Sequence, residues 1–423
     1  MKPVQLVIEG AGSVVAQYYL PALERLCQEG CHFGLTFVDD SRFWRDDPDL
    51  VARMQLLRAR MGRIGATYLD KSEPADFMQW SGLDPDALVI ATPDRTHVEV
   101  ALEWVRRSVP PRAIYIEKPL DVSVSRARDL LGVIGPENDV VRAFDHYRAR
   151  LLPAHAEFDM LAGFLKSGIA KFTFYFLEDR SGADPLFAAE RGKHQGPIEN
   201  ENRQVALREG LLLDAMPHVI AVLAHFGAVS SMELKGLRAG KYTGVGGVPD
   251  EAASIDGETF AEVRFLFRSH LGNRAEGVAY IGKGIKGSQR LGRDYDHNTK
   301  LLVIEGVNGR KATFDFRKSG SGNPSKSIWT ESSKEFHRFD LHSDPYYVFL
   351  RSITSSTDFD ERIALPVEVG KRTLEVIEDM RYPVVELLRK GHQLPAYPCG
   401  IFGMRDSLYL EDVVSLLPPM YGR

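Results

Sequence analysis

The 423-residue sequence predicts an α/β fold with two domains: a doubly wound α/β domain, then an α+β domain with a mostly antiparallel open sheet. Two observations support this prediction. Over about the first 145 residues, short apolar runs alternate with longer amphipathic runs, as buried parallel strands alternate with helices. From about Lys171 onward, aromatic and β-branched runs separated by Gly and Asn turns replace that alternation. We therefore expect domains at 1–145 and 146–385, then a tail at 386–423 that packs on the body or an interface.

The elements of the first domain follow from the length and periodicity of its apolar runs. Short runs of consecutive apolar residues are typical of strands that are buried on both faces. The predicted strands are Val4–Ile8, Phe33–Val38, Ala87–Ala91, Ala113–Ile116 and Val140–Phe144. Amphipathic segments with helical periodicity lie between them. The predicted helices are Ala16–Cys27, Asp49–Arg63, Thr96–Arg107 and Ser123–Ile134.

The second domain contains strand-like runs and few helices. The predicted strands are 171–178, 259–268, 276–281, 300–305 and 311–316, with helices at about 215–225 and 368–381. The segment Gly320–Ser333 is rich in Ser, Gly and Asn and is expected to be a loop. Prolines at 395, 398, 418 and 419 predict an irregular tail from Gln393 onward.

The composition excludes several classes of protein. Lys and Arg number 53 against 58 Asp and Glu, and this formal net charge of −5 argues against a dedicated nucleic-acid binder. No apolar run reaches the roughly 20 residues that a membrane span needs, and the N-terminus leaves no room for a signal peptide. The three cysteines, Cys27, Cys31 and Cys399, cannot cross-link a chain of this size, and no second Cys/His pair completes a zinc site. We expect a cytoplasmic protein without a metal site.

A glycine-containing turn follows the first predicted strand. Its sequence is Gly10-Ala11-Gly12-Ser13-Val14-Val15, and a helix is predicted after it. Glycines allow the backbone to turn tightly and to approach a pyrophosphate, which accepts hydrogen bonds from the free N–H groups of the helix N-terminus. Val15 occupies the position of the third glycine of the dinucleotide fingerprint, so we expect the first helix to pack less closely on its strand. The turn predicts a Rossmann-type dinucleotide site.

Acidic residues stand at the end of the second predicted strand. Asp39 lies where an acid accepts hydrogen bonds from the adenosine ribose of a dinucleotide. A turn of solvated acids, Asp39 and Asp40, is the alternative. Ser41 and Arg42 follow at once and could hold a 2′-phosphate instead. The expected cofactor is therefore NAD or NADP, with NAD slightly favoured.

Three further segments complete the pattern. They are Thr92-Pro93-Asp94-Arg95-Thr96-His97 after the third predicted strand, Glu117-Lys118-Pro119 after the fourth, and the pair Asp214 and His218 in the second domain. In this order the motifs resemble those of the glucose–fructose oxidoreductase / inositol dehydrogenase (Gfo/Idh/MocA) family, over roughly residues 4–380. The resemblance implies a Glu-Lys-Pro motif in a dinucleotide domain, an Asp-x-x-x-His pair in a second domain, and dimers or tetramers.

These residue types suit the oxidation of a secondary alcohol. A neutral imidazole can take the hydroxyl proton near neutral pH, so His218 is the candidate base. Asp214 lies four residues earlier, on the same helix face, and can fix the tautomer of that imidazole. Pro217 between them is tolerable if Asp214 lies at or near the helix cap. Lys118 supplies positive charge for the developing alkoxide, and Glu117 can orient that lysine.

The same residues also have structural interpretations. Lys118 can be a solvated lysine at a strand end, and His218 can be a half-buried histidine whose hydrogen bonds are satisfied. Thr92 and Pro93 are expected to form a turn against the cofactor ribose. We expect His97 to cap a helix or to pack beneath the nicotinamide rather than to react.

A second set of residues predicts a subsite for a sugar phosphate. The segment Asp145-His146-Tyr147-Arg148-Ala149-Arg150 partly resembles one in glucose-6-phosphate dehydrogenases, where His, Tyr and a lysine handle the phosphate. Arg150 occupies the place of that lysine, and arginine binds phosphate well. Lys283, at the end of Tyr280-Ile281-Gly282-Lys283, resembles a further phosphate contact of those enzymes. We expect His146, Tyr147, Arg150 and Lys283 to bind the substrate; the alternative is that the basic residues are solvated.

The sequence thus predicts an NAD(P)-dependent oxidoreductase that transfers a hydride between a nicotinamide and a sugar, cyclitol or sugar phosphate. Two alternatives stay open: a non-catalytic regulator of the same fold that senses a dinucleotide and a sugar, and an NAD-assisted glycoside hydrolase. The presence of both Lys118 and His218 favours the enzyme. We expect a small-molecule substrate and a homodimer or homotetramer, with neither nucleic acid nor a membrane as partner.

Overall fold

The computed structural model describes residues 3–135, 139–150, 166–178, 211–243, 260–283, 298–316, 325–330, 335–340, 344–354, 364–389 and 396–398. These residues form two compact units. The first unit combines the described residues up to 150 with 344–375, and the second holds the others. Within these ranges, no helix is both long enough and apolar enough to cross a membrane.

The elements are numbered along the described part of the chain. The strands are β1 (Val4–Glu9), β2 (Phe33–Asp39), β3 (Thr67–Asp70), β4 (Ala87–Ile90), β5 (Ala113–Glu117), β6 (Val141–Phe144), β7 (Ile169–Glu178), β8 (Gly227–Thr243), β9 (Phe260–Ser269), β10 (Arg274–Lys283), β11 (Asn298–Gly306), β12 (Lys311–Asp315), β13 (Ser325–Thr330), β14 (Glu335–Asp340), β15 (Ala364–Pro366) and β16 (Ala396–Pro398). The helices are α1 (Leu20–Gln28), α2 (Pro48–Arg63), α3 (Pro74–Ser81), α4 (His97–Val105), α5 (Val124–Ile134), α6 (His146–Arg150), α7 (Leu211–Leu223), α8 (Pro345–Thr354) and α9 (Val367–Arg389). A π-helical turn, Val15–Tyr19, leads into α1, and 3-10 turns cover Ser41–Phe43 and Asp94–Thr96.

The first unit is built on a doubly wound sheet. Its strands lie in the order β15-β6-β5-β4-β1-β2-β3, and every pairing is parallel except that of β15 with β6. The central strands are almost wholly apolar and Leu6, Ile8 and Val89 are fully buried, as expected for a parallel sheet. The direction in which successive strands are added reverses between β1 and β4, and ligands of such sheets bind at this switch point. The predicted α/β fold is confirmed.

Helix α8 brings the chain back to the first unit. It packs against α1 and α6. The ring of Phe349 stacks on Phe144 at 4.1 Å between centroids and meets Tyr115 edge-on at 5.0 Å. Strand β15 then pairs with β6 at the edge of the sheet. Aromatic packing and one antiparallel pairing therefore fix this late segment on the first unit.

The second unit contains a nine-stranded sheet in the order β14-β13-β12-β11-β7-β10-β9-β8-β16. Most neighbouring strands are antiparallel, whereas β7 with β10 and β8 with β16 are parallel. Phe172 and Phe174 are fully buried while Lys171 is exposed and Thr173 is half-buried, so this part of β7 has one buried face. Helix α7 packs on the strands, and the ring of Phe226, just beyond α7, lies 6.3 Å from that of Phe172. The predicted mostly antiparallel sheet is confirmed.

The structure corrects three expectations about the second part of the chain. The loop expected at Gly320–Ser333 is wrong in part, because Ser325–Thr330 forms β13 between β12 and β14. The tail expected to be irregular contains β16, which pairs with β8. Helix α7 already includes Leu211, four residues before the predicted start at Ala215. Long-range strand pairing, which local composition does not reveal, explains the first two differences.

Candidate functional site

The turn after β1 can be made only with glycine at its first position. Gly10 has φ of +100°, and its N–H donates a hydrogen bond to the carbonyl of Val38 at 2.8 Å. A Cβ at Gly10 would lie 2.5 Å from the carbonyl oxygen of Ala91, at the end of β4. A Cβ at Gly12 would meet nothing within 4 Å among the described residues. The turn is thus packed tightly against β4 at Gly10 and is open at Gly12.

The helix after this turn is not α-helical at its start. Val15, in the position of the third fingerprint glycine, is completely buried. The backbone from Val15 to Tyr19 forms a π-helical turn before α1 begins at Leu20. A π-helical turn is wider than an α-helical one, since its hydrogen bonds join residues five apart. The first helix therefore begins with a π-helical turn at the position where the fingerprint has its third glycine.

The predicted residues after β4 lie next to the glycine turn. A Cβ at Gly10 would be 2.7 Å from the backbone nitrogen of Thr92, and the Thr92 hydroxyl is buried without a hydrogen-bond partner in the described part of the chain. Pro93 precedes the 3-10 turn. The two ring nitrogens of His97 lie 2.8 Å from the carbonyl oxygens of Thr92 and Pro119. His97 therefore joins the turns after β4 and β5.

The acid at the end of β2 is half-buried and oriented by an indole. The Nε1–H of Trp44 donates to Oδ2 of Asp39 at 3.1 Å. Burial raises the pKa of Asp39 to about 6. Arg42 is exposed and its guanidinium pairs with the carboxylate of Asp40, with Nε 2.9 Å from Oδ1. The Trp44 indole thus fixes one oxygen of the Asp39 carboxylate, whereas the charge of Arg42 is partly neutralised by Asp40.

Glu117 and Lys118 lie at the end of β5. Glu117 is buried, and its Oε1 accepts a hydrogen bond from the hydroxyl of Tyr19 at 2.7 Å. Its Oε2 accepts from the backbone N–H of Lys118 at 3.3 Å. Burial raises the pKa of Glu117 to about 7, against the opposing effects of the Tyr19 hydrogen bond and the Lys118 charge. Lys118 itself is half-buried, and its peptide bond to Pro119 is cis.

The predicted phosphate-binding residues begin at α6. Asp145 caps this helix by accepting hydrogen bonds from the backbone N–H groups of Tyr147 and Arg148 at 2.8 and 3.1 Å. The ring of Tyr147 is buried, whereas His146 is half-buried and stacks on Tyr346 with centroids 5.8 Å apart. Two further predicted residues, Arg150 and Lys283, end α6 and β10, and their side chains lie outside the described part of the structure.

In the second unit, Asp214 and His218 lie one turn apart on α7. His218 is buried, and its ring stacks on that of Phe176 with centroids 5.5 Å apart and an interplanar angle of 20°. Asp214 lies in the first turn and is half-buried. Pro217, however, lies inside the helix rather than in its first turn, so the carbonyl of Leu213 loses its usual N–H donor.

Sequence reasoning missed three side chains that contact predicted site residues or their backbone. Trp44 lies five residues after Asp39, so its indole N–H was a signal that the sequence offered. Asp145 lies directly before α6, where an acidic residue commonly caps a helix, and this was a second such signal. Tyr19 carries no comparable signal, because 98 positions separate it from Glu117.

The residues at the C-terminal edge of the first sheet fit a dinucleotide. Open space beside Gly12 permits close approach of a ligand to the backbone. The buried Thr92 hydroxyl needs a hydrogen-bond partner, and Asp39 offers its carboxylate at the end of β2. These three features lie at the ends of β1, β4 and β2, the strands that flank the switch point.

No family model matches the sequence, and no curated protein matches it. The fold, however, resembles those of solved oxidoreductases. The 3-ketoreductase KijD10 from Actinomadura kijaniata, solved with NADP and TDP-benzene, matches with a TM-score of 0.55 and 17% identity, over 94% of this chain and 100% of that chain. The UDP-N-acetylglucosamine 3-dehydrogenase GnnA from Acidithiobacillus ferrooxidans matches with a TM-score of 0.56 and 15% identity, over 92% of this chain and 100% of that chain.

A third match is a candidate myo-inositol dehydrogenase from Sinorhizobium meliloti 1021, with a TM-score of 0.56 and 16% identity, over 90% of this chain and 98% of that chain. The chain therefore shares its overall fold with these three solved proteins. At 15–17% identity the likeness establishes the fold, which confirms the architecture that the motifs implied.

Proposed function

We propose that the protein is an NAD(P)-dependent oxidoreductase that transfers a hydride between the nicotinamide and a sugar, cyclitol or sugar phosphate. The observation that carries this proposal is the tight glycine turn at the switch point, beside the buried Thr92 hydroxyl. The shared fold supports it, since KijD10 is a 3-ketoreductase solved with NADP and GnnA is a sugar-nucleotide 3-dehydrogenase.

The cofactor is held by the edge of the first sheet. Gly12, Ser13 and Val14 present backbone N–H groups to the pyrophosphate at the helix start, and Gly10 forms the tight turn that places them there. Asp39 accepts hydrogen bonds from the adenosine ribose, and the engagement of Arg42 by Asp40 favours NAD over NADP. Thr92, Pro93, His97 and Glu117 border the nicotinamide half. When bound, the nicotinamide supplies the hydride acceptor or donor.

The proton and the developing charge are handled by side chains of the protein. The ammonium group of Lys118 stabilises negative charge on the substrate oxygen, and the imidazole of His218 takes the hydroxyl proton. Asp214 fixes the tautomer of that imidazole from one helical turn away. His146, Tyr147 and Arg150 bind a phosphate or other polar group of the substrate, and Lys283 is a further candidate for a phosphate contact.

Two further features complete the proposal. The protein works in the cytoplasm, which the free thiols of Cys27 and Cys31 favour. It assembles as a homodimer or homotetramer, as the resemblance of the motifs implies.

The test is a panel of sugars, cyclitols and sugar phosphates with NAD and NADP, read by the absorbance of the reduced nicotinamide. Lys118→Ala and His218→Ala should each lower kcat/KM by roughly 10²- to 10⁴-fold, the usual range for a catalytic acid or base. Lys171→Ala and His270→Ala are matched controls, because both residues are exposed on the second unit, and should leave kcat/KM unchanged.

The same panel distinguishes the alternatives. Full activity of either variant would remove the role proposed for that residue. Dinucleotide binding without turnover of any substrate would favour the sensing regulator. Glycoside cleavage with tightly retained NAD, and no net reduction of added NAD, would favour the hydrolase.

A further inference from the structure

Tyr19 and Glu117 form a buried polar pair within the first unit. The side chain of Tyr19 is completely buried, and its hydroxyl donates to Oε1 of Glu117 at 2.7 Å. The other carboxylate oxygen accepts from the backbone N–H of Lys118. Each oxygen of Glu117 therefore has a donor, and the two donors come from different parts of the chain.

The aromatic surroundings of Tyr19 fix the direction of its hydroxyl. Its ring meets Tyr346 edge-on with centroids 4.8 Å apart, and Phe349 with centroids 6.4 Å apart. Burial and the neighbouring Glu117 carboxylate raise the pKa of Tyr19 well above its ordinary value. The phenol therefore stays protonated and remains a donor at any pH at which the protein is folded.

The helix type at Val15 is connected with this contact. Tyr19 is the last residue of the π-helical turn that begins at Val15. Because a π-helical turn holds more residues than an α-helical one, it changes the helix face on which the residues at its end lie. Such turns are frequent at functional sites. The π-helical turn thus begins at Val15, where the fingerprint has its third glycine, and ends at Tyr19, which contacts Glu117.

We infer that Tyr19 is a positioning residue: its hydroxyl holds the Glu117 carboxyl against the backbone of Lys118. Tyr19 thereby determines how much negative charge the Glu117 carboxyl carries beside the Lys118 ammonium. This inference rests on the proposed function of Lys118. Three groups face the Glu117 carboxyl: the Tyr19 phenol, the Lys118 ammonium on its own turn, and the Asp145 carboxylate at the end of β6. Of these, only Tyr19 both contacts Glu117 and lies away from the proposed reacting atoms.

The pair predicts a pH dependence of stability. Burial raises the pKa of Glu117 from 4.5 to about 7. Between these pH values the folded protein keeps a proton on Glu117 that the unfolded chain has lost. The free energy of unfolding therefore falls as the pH rises from 4.5 to about 7. Tyr19→Phe removes a donor to the carboxylate and moves the upper limit of this window to higher pH, by about one pH unit. The phenylalanine keeps the ring packing, so the variant is expected to fold.

The experiment is urea denaturation of the full chain from pH 5 to pH 9 for four proteins: the parent, Tyr19→Phe, Glu117→Gln and the double variant. We expect the contribution of Glu117 to the pH dependence to move in Tyr19→Phe and to disappear in Glu117→Gln, whereas the buried Glu9 and Asp39, whose pKa values are also raised, contribute equally in all four proteins. At pH 9 the Tyr19→Phe change should lower the folding equilibrium constant about ten-fold in the parent and much less in the Glu117→Gln background. Tyr18→Phe is the matched control, because Tyr18 stacks on Tyr346 without contacting Glu117.

Equal effects of Tyr19→Phe in both backgrounds, or an unchanged pH window, would overturn the inference whether or not the protein is an enzyme. Activity is measured in parallel. If a substrate is found, the pH profile of kcat for Tyr19→Phe should shift in the same direction as the stability window, whereas an unshifted profile would overturn the positioning role. If no substrate is turned over while the coupling is present, the proposed function fails and the Tyr19–Glu117 contact stands.

Discussion

Alanine at Gly10 and at Gly12 should separate folding from dinucleotide binding. The two glycines belong to one turn but differ in their surroundings. At Gly10, φ is +100° and a Cβ would overlap the carbonyl group of Ala91, with 2.5 Å to its oxygen. At Gly12, a Cβ would meet no described atom within 4 Å. Gly10→Ala therefore perturbs the fold, whereas Gly12→Ala changes only the space that a ligand would use.

The magnitudes follow from these contacts. A non-glycine residue in a left-handed conformation costs about 1–2 kcal/mol, and overpacking against atoms that cannot rotate away costs about 1–3 kcal/mol. Gly10→Ala should therefore lower the free energy of unfolding by about 2–5 kcal/mol. Gly12→Ala should raise it by about 0.4–1 kcal/mol, because alanine restricts the unfolded chain. The added methyl group should weaken dinucleotide binding at least ten-fold, since it fills the space through which a pyrophosphate reaches the backbone.

Urea denaturation measures the first effect, and titration with NADH followed by its fluorescence measures the second. The expected pattern is a destabilised Gly10→Ala and a stable Gly12→Ala that binds NADH weakly. Gly12→Ala with parental affinity would refute the placement of the pyrophosphate at this turn. A Gly10→Ala protein as stable as the parent would refute the packing argument for Ala91.

Two further predictions concern buried carboxyl groups. Burial raises the pKa of Asp39 to about 6, so its carboxylate should lose its charge as the pH falls, and the affinity for NADH should decrease below pH 6. The Asp39→Asn variant should bind NADH about ten-fold more weakly. An NADH titration of this variant should show no change of affinity around pH 6. Lys71 pairs with the buried Glu9 at 2.9 Å, and Lys71→Met should lower the free energy of unfolding by about 3–5 kcal/mol at pH 8. The loss in Lys71→Met should be smaller at pH 5, where Glu9, whose pKa burial already raises, can take up a proton; equal losses in urea denaturation at both pH values would contradict this.

Much of the first sheet was predictable because parallel strands are buried on both faces. Continuous apolar runs marked β1, β2, β4, β5 and β6 to within about one residue at each end. Strand β3 was missed, since its four residues include polar groups at both ends. Strand β8 was missed although it is 17 residues long, because small and charged residues interrupt its apolar pattern.

The candidate site was predictable where local chemistry imposes a residue type. The geometry of Gly10 shows why glycine stands there, since the residue has a positive φ and lies against the end of β4. Contacts between distant segments were beyond sequence reasoning. His97 joins carbonyl groups of two separate turns, and Tyr19 reaches Glu117 across 98 positions. Such contacts depend on which strands become neighbours, and no periodicity in one sequence contains that information.

Val15 shows how a departure from a sequence fingerprint is accommodated. The first two fingerprint positions each have a backbone requirement. Gly10 meets the first, a left-handed turn against β4, and Gly12 meets the second, open space for a ligand. The third concerns only the approach of the helix to its strand. Val15 places a fully buried side chain there, at the first residue of the π-helical turn. The missing third glycine therefore leaves both backbone requirements in place, and the π-helical turn that begins at Val15 ends at Tyr19, whose hydroxyl contacts Glu117.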